Sequence, residues 1–263
     1  MIFDAAKLRN YTITYTILEK FETSLYFCRR IFETLEMKLT QRTPLMERPF
    51  PDYTLTEEKL NSWSHLFGAL CAVAMMFLAI RSSIGKTSVH LTCSIVYTAS
   101  VLLTMLVSGI YHGLPKGKAK QIMRVVDHCD IFVTIAGTYT PITLLGICTV
   151  NPVMGKVVFS IEWGLAIIGI VLNAIDLKRY AAFSMTCYLG MGWCVIISLW
   201  PAIQAMTLSG FLWIIGGGVA FTIGAVLYLV GKKKRYRHFL FHLFVLLGIL
   251  VQFVGVYAYL LLK

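Results

Sequence analysis

The run His238-Phe-Leu-Phe-His242 sets two imidazoles four residues apart. On a helix that spacing puts both on one face, with their backbones about 6 Å apart, close enough to bind one ion. A third imidazole, His112, closes a different apolar run, and Asp127 opens the run after it. Three neutral imidazoles with one open position form the ligand set of a catalytic zinc site, where the metal lowers the pKa of a bound water toward ~7. Asp127 then either bonds the ion directly or holds that water from behind. Ser108 lies one turn before His112, so its hydroxyl is in reach of the same water or of a substrate oxygen.

The elements that must position these residues are apolar. Of the 263 residues 57% are hydrophobic and mean hydropathy is +0.73, well above the ~45–50% apolar share of a soluble domain. Seven runs approach the ~20 residues needed to cross a bilayer: 63–80, 90–112, 127–148, 154–175, 181–203, 209–230 and 238–262. None alternates as a strand would, and backbone groups in lipid must be satisfied internally, so the runs are helices. The expected fold is all-α, an integral membrane bundle of seven transmembrane helices.

Charge then orients the bundle. Residues 1–62 hold nine basic and nine acidic side chains, so the whole excess of the +11 net charge belongs to the membrane part. Lys116, Lys118, Lys120, Arg124, Lys178, Arg179, Lys232, Lys233, Lys234, Arg235 and Arg237 fall on one side; Arg81, Lys86, Lys156 and Lys263 fall on the other. Such a bias in short loops marks the cytoplasmic face, placing the N-terminus inside and the C-terminus outside. His112, Asp127, His238 and His242 all come out at the cytoplasmic end, although none of them entered the count. A basic excess confined to short loops between spans also gives no reason to expect nucleic acid as a partner.

Other polar residues read as support. Glu58, Asn61 and His65 recur at helical spacing at the start of the first span, a hydrogen-bonded stripe that braces the site. His128 points about 100° away from Asp127 and is expected at the surface. His90 belongs to the opposite side. Glu162 lies inside a span, where a bare charge is costly, so a proton or an interior partner is expected. Asp130 lies one turn from Asp127, and Pro141 should kink its span. Seven cysteines offer no CxxC pair and imply no disulfide framework.

Residues 1–56 are a different material. Phe21, Leu25, Cys28, Phe32, Leu35 and Leu39 recur at helical spacing among charges, which reads as an amphipathic helix lying on the cytoplasmic leaflet, as a dispensable extension, or as a start set too early, with the true start at Met37 or Met46. A proline-marked linker, Thr43 to Thr56, follows. The expected division is therefore 1–56, extension and linker, and 57–263, transmembrane domain.

Four motifs, Glu58-Lys-Leu-Asn61-Ser-Trp-Ser-His65-Leu-Phe-Gly68, Ser108-Gly-Ile-Tyr-His112, Asp127-His-Cys-Asp130 continuing to Pro141, and His238-Phe-Leu-Phe-His242, resemble the hemolysin III family, which groups with the progestin and adipoQ receptors. The resemblance implies seven helices in the cell membrane and zinc on His112, His238 and His242, with Asp127 on the zinc water and Ser108 in a Ser-x-x-x-His motif. Asp130 departs from the small or neutral residue expected there. For activity the resemblance implies either hydrolysis of a membrane lipid amide or ester or a pore-forming, cell-lysing role. A receptor with structural zinc is the third reading. The visible polar residues concentrate at one end, which favours a site over a conduit.

Overall fold

The computed structural model describes residues 44–230 and 234–263. The expected amphipathic helix of the first forty residues lies outside them.

Helix α1, Leu55–Ser83, starts from a capping box. Thr54 Oγ1 accepts from the Glu57 amide at 3.2 Å, and Glu57 Oε2 accepts from the Thr54 amide at 2.9 Å, so two amides that the first turn leaves unpaired are satisfied. Helix α2, Ser88–Gly113, is capped by Thr87. Helix α3, Lys118–Pro141, cannot keep its hydrogen-bond register past a residue with no N–H, and continues as a π-helical turn, Ile142–Ile147. Asn151 caps α4, Pro152–Asp176, with proline in the first turn where its missing N–H costs nothing. Then come α5, Ala181–Gly192, a 3-10 turn, Cys194–Ser198, α6, Leu199–Val230, and α7, Arg237–Val256, which ends in a second π-helical turn, Tyr257–Leu261.

Six stretches are long and apolar enough to cross a membrane. The seventh expected run has no loop of its own. Runs 181–203 and 209–230 fall within one apolar stretch, Ala181–Val230, whose 50 residues are broken at Thr207 by φ 67° and ψ 164°. Two carbonyl contacts fix the far end of the bundle: Lys263 Nζ donates to Ala205 O at 2.7 Å and Lys86 Nζ to Leu261 O at 2.6 Å.

The distribution of side chains suits lipid. Leu70, Phe77, Ile167 and Trp200 are exposed on the perimeter, while Asn61, Thr98, Ser94 and Glu162 have no exposure at all. Apolar surface outside and polar groups inside is the stable arrangement when the solvent is hydrocarbon. Buried hydroxyls run along most of α2, at Ser94, Thr98, Ser100, Thr104 and Ser108, so the interior polarity extends beyond the one end that sequence had indicated. Several are spent locally: Thr98 donates to Ser94 O at 2.6 Å and Ser100 to Tyr97 O at 2.7 Å.

Close approach of α1 and α2 positions the site. A Cβ on Gly68 would overlap the Met105 sulfur, and one on Gly109 would stand 2.9 Å from Leu66 Cδ2. Small residues at both points let Ser62 Oγ reach Gly109 O at 2.7 Å. The segment expected as a linker is also docked over residues 48–54. Arg48 donates to Ile175 O at 2.9 Å, Gln121 to Arg48 O at 2.5 Å and Arg124 to Pro49 O at 2.8 Å. The six cysteines among the described residues are free thiols.

Candidate metal centre

The last turn of α2 and the first turns of α7 face one another at one end of the bundle. His112 and His242 are each 2% exposed, and one ring nitrogen from each of His112, His238 and His242 lies within 4.8 Å of the others. His112 Nε2 is 3.3 Å from His238 Nε2, and His242 Nε2 is 2.9 Å from His238 Nε2. Two nitrogens bound to one tetrahedral ion at ~2.0–2.1 Å stand about 3.3 Å apart, so the spacing fits a metal.

The outward nitrogens give a second test. His112 Nδ1 is 2.6 Å from Glu58 Oε2, and His242 Nδ1 is 2.6 Å from His65 Nε2. A ligating histidine almost always gives its other N–H to a partner that fixes tautomer and ring orientation. With the Nδ1 protons held from outside, the Nε2 lone pairs of His112 and His242 turn inward, toward His238 Nε2, where one cation could take all three. The residues therefore fit a metal ion by donor type and spacing, and His112 and His242 also by outer support, while His238 Nδ1 has no hydrogen-bond partner.

Helical spacing predicts Glu58, Asn61 and His65 in a bracing stripe. The structure sets Glu58 behind His112 and His65 behind His242, while Asn61 Nδ2 stands farther off, 3.5 Å from His112 Nδ1. Three contributors were missed. Lys120, counted above among loop charges, is buried at 2% exposure, with Nζ 3.0 Å from Glu58 Oε1 and donating to Leu114 O at 2.9 Å and His112 O at 3.2 Å. Tyr53 stacks on His238 with centroids 4.8 Å apart and planes 17° apart. Burial raises its phenol pKa, so it stays a neutral ring cover. Glu57 Oε1 accepts from the Tyr236 amide at 2.6 Å, tying the start of α1 to the turn that launches α7. Tyr236 has φ 62°, a left-handed conformation that costs a non-glycine residue energy and that this bond helps to hold. The Thr54-Leu-Thr-Glu57 capping signature was the available signal for Glu57.

Ser108 is buried at 3% exposure, one turn below His112. Asp127 is half-buried in α3, its Oδ2 3.5 Å from His128 Nδ1, and it is outside the group of three converging ring nitrogens. His128, expected at the surface, is half-buried instead: its Nδ1 is 2.9 Å from Arg124 O, and its own carbonyl accepts from Tyr188 Oη at 2.7 Å and Asn173 Nδ2 at 3.2 Å. His90 lies at the opposite end, 2.9 Å from Thr87 Oγ1. Asp130 is buried against Thr104, whose hydroxyl donates to its Oδ2.

Residues 53–253, which contain every residue of this site, match the family described as haemolysin-III related. The chain belongs to the haemolysin III family. Among its relatives, Hemolysin-3 of Bacillus cereus is 33% identical over 206 residues, which span 78% of this chain and 92% of that protein. A Hemolysin-3 homolog of Bacillus subtilis (strain 168) is 34% identical over 208 residues, spanning 79% and 96%. With haemolysin III membership and six membrane-length helices, this is a multi-pass membrane protein carrying a buried histidine triad suited to a metal.

Proposed function

We propose that this haemolysin III protein is a zinc-dependent hydrolase of the cell membrane, cleaving an amide or ester bond in a membrane lipid. The observation that carries the reading is the inward turn of three imidazoles, two of them held by outward Nδ1 contacts, which leaves room in a tetrahedral shell for a fourth, exchangeable partner. Zinc, held by His112, His238 and His242, would supply Lewis acidity toward a carbonyl oxygen and toward water. Asp127, half-buried at the same end, serves as the proton acceptor and passes the proton toward the leaving group. The Ser108 hydroxyl donates to a substrate oxygen. Tyr53 and the docked strap around it shield the site from bulk water on the side of His238.

Seven passes belong to the same proposal, with the N-terminus cytoplasmic and the C-terminus external. Fifty helical residues would extend about 75 Å, over twice the ~30 Å hydrocarbon core, and the break at Thr207 divides Ala181–Val230 into two lengths that each suit one crossing. Lys263 at Ala205 and Lys86 at Leu261 support a far end shared by these segments.

A pore is the second reading, favoured by the relatives' name and by the buried hydroxyls along α2. Asp127→Asn separates the two. It preserves shape but removes the base, so zinc content should survive while turnover of a lipid amide in proteoliposomes falls ~10²-fold or more. No hydrolysis by the wild type on any lipid amide or ester, together with dye release from liposomes that the substitution leaves unchanged, would defeat the hydrolase and favour the pore.

A further inference from the structure

Glu162 is a carboxyl that the histidine site does not use. Three contacts fix its depth: Trp163 Nε1 donates to Thr140 Oγ1 at 3.2 Å, Gly169 packs on the Phe132 ring, and Asn173 Nδ2 reaches His128 O. Glu162 therefore lies eleven residues of α4 from the level of His128 (173 less 162), about 16 Å along the axis and near mid-depth in a ~30 Å core. It is fully buried, and neither of its oxygens meets a nitrogen or oxygen donor.

The groups around it cannot neutralise a carboxylate. Tyr139, facing it from α3, spends its hydroxyl twice, donating to Gly192 O at 3.2 Å and accepting from the Val195 amide at 2.7 Å. Cys194, facing it from the 3-10 turn, offers a thiol, a weak donor. The π-helical turn Ile142–Ile147 contributes no titratable side chain, and no ion pair of Glu162 occurs among the described residues. A bare charge there goes uncompensated, so the carboxyl must carry a cation. A metal cation wants several oxygen ligands, whereas a proton needs only the carboxyl.

We propose that Glu162, framed by Tyr139 and Cys194, is a proton-binding site in the membrane interior, separate from the histidine centre. Its level is also where two helices lose regular α-helical hydrogen bonding, α3 after Pro141 and α5 at Gly192. Irregular backbone at membrane depth persists only where protein or trapped water covers it, so this is the level at which the bundle admits water for proton exchange. Loss of the proton puts an unpaired charge between the two broken helices and links their packing to protonation.

Infrared spectroscopy of the full chain in liposomes reads the carboxyl directly. The expected result is a carbonyl band of a protonated, weakly hydrogen-bonded acid at neutral pH, lost in Glu162→Gln and retained in His112→Ala. Dicyclohexylcarbodiimide, which attacks protonated carboxyls in apolar surroundings, should label Glu162 in the wild type, with labelling lost as pH rises. A wild-type spectrum with Glu162 ionised at neutral pH would overturn the proposal, as would an acid band in Glu162→Gln undiminished from the wild type. Protection from labelling by sodium ions at constant pH would also overturn it, by assigning the site to a metal cation.

Discussion

His112 Nδ1 and Glu58 Oε2 lie 2.6 Å apart, joining the end of α2 to the start of α1 behind the histidine triad. The same carboxylate takes Lys120 Nζ at 3.0 Å through its other oxygen, so one acid fixes a ring orientation on one side and neutralises a buried ammonium on the other. The pair makes His112 a more basic ligand and holds its Nε2 toward His238.

Replacing that acid should therefore weaken the metal without unfolding the bundle. Glu58→Gln is expected to lower zinc affinity ~10–100-fold, the usual penalty for losing a carboxylate behind a ligating histidine. Competition with a chromogenic chelator measures it, and unchanged affinity would remove Glu58 from the site.

Lys120→Met tests the other half of the pair. Removing one partner of a buried ion pair costs ~3–5 kcal/mol, and the lower end applies because the Glu58 side chain keeps 16% of its exposure. Three donor contacts go with it. Thermal unfolding in detergent should show a clear loss of stability; a melting temperature equal to wild type would mean that Lys120 is solvated as an ordinary loop lysine.

Much of the site was legible in the sequence because its signals are local. The i, i+4 spacing of His238 and His242, the Ser108-to-His112 spacing and the Glu58–Asn61–His65 stripe each follow from helical periodicity alone. What was not legible depends on pairing between distant segments through backbone atoms. Lys120 looked like one more basic loop residue because its partners are mostly the carbonyls of His112 and Leu114, which leave no mark in side-chain pattern. Arg48 reads as part of a linker for the same reason, since it is held by Ile175 O and Gln121. The division of Ala181–Val230 was seen as a gap between two apolar runs, whereas the structure makes it a single left-handed residue, Thr207, in a continuous apolar stretch.

The proposed topology rests on the charge bias and has its own test. A reporter fused after Lys263 should read as external, and one inserted in the loop before Arg237 should read as cytoplasmic. The reverse pattern would turn the histidine centre to the outer face and with it the side from which substrate arrives.

Metal content tests the central claim most directly. Protein purified without chelator from zinc-replete cells should carry about one zinc per chain by elemental analysis. Alanine at His112, His238 or His242 should remove most of it, while Asp127→Asn should keep it. Wild-type protein that is folded yet metal-free, or zinc that persists when all three histidines are replaced, would contradict the account.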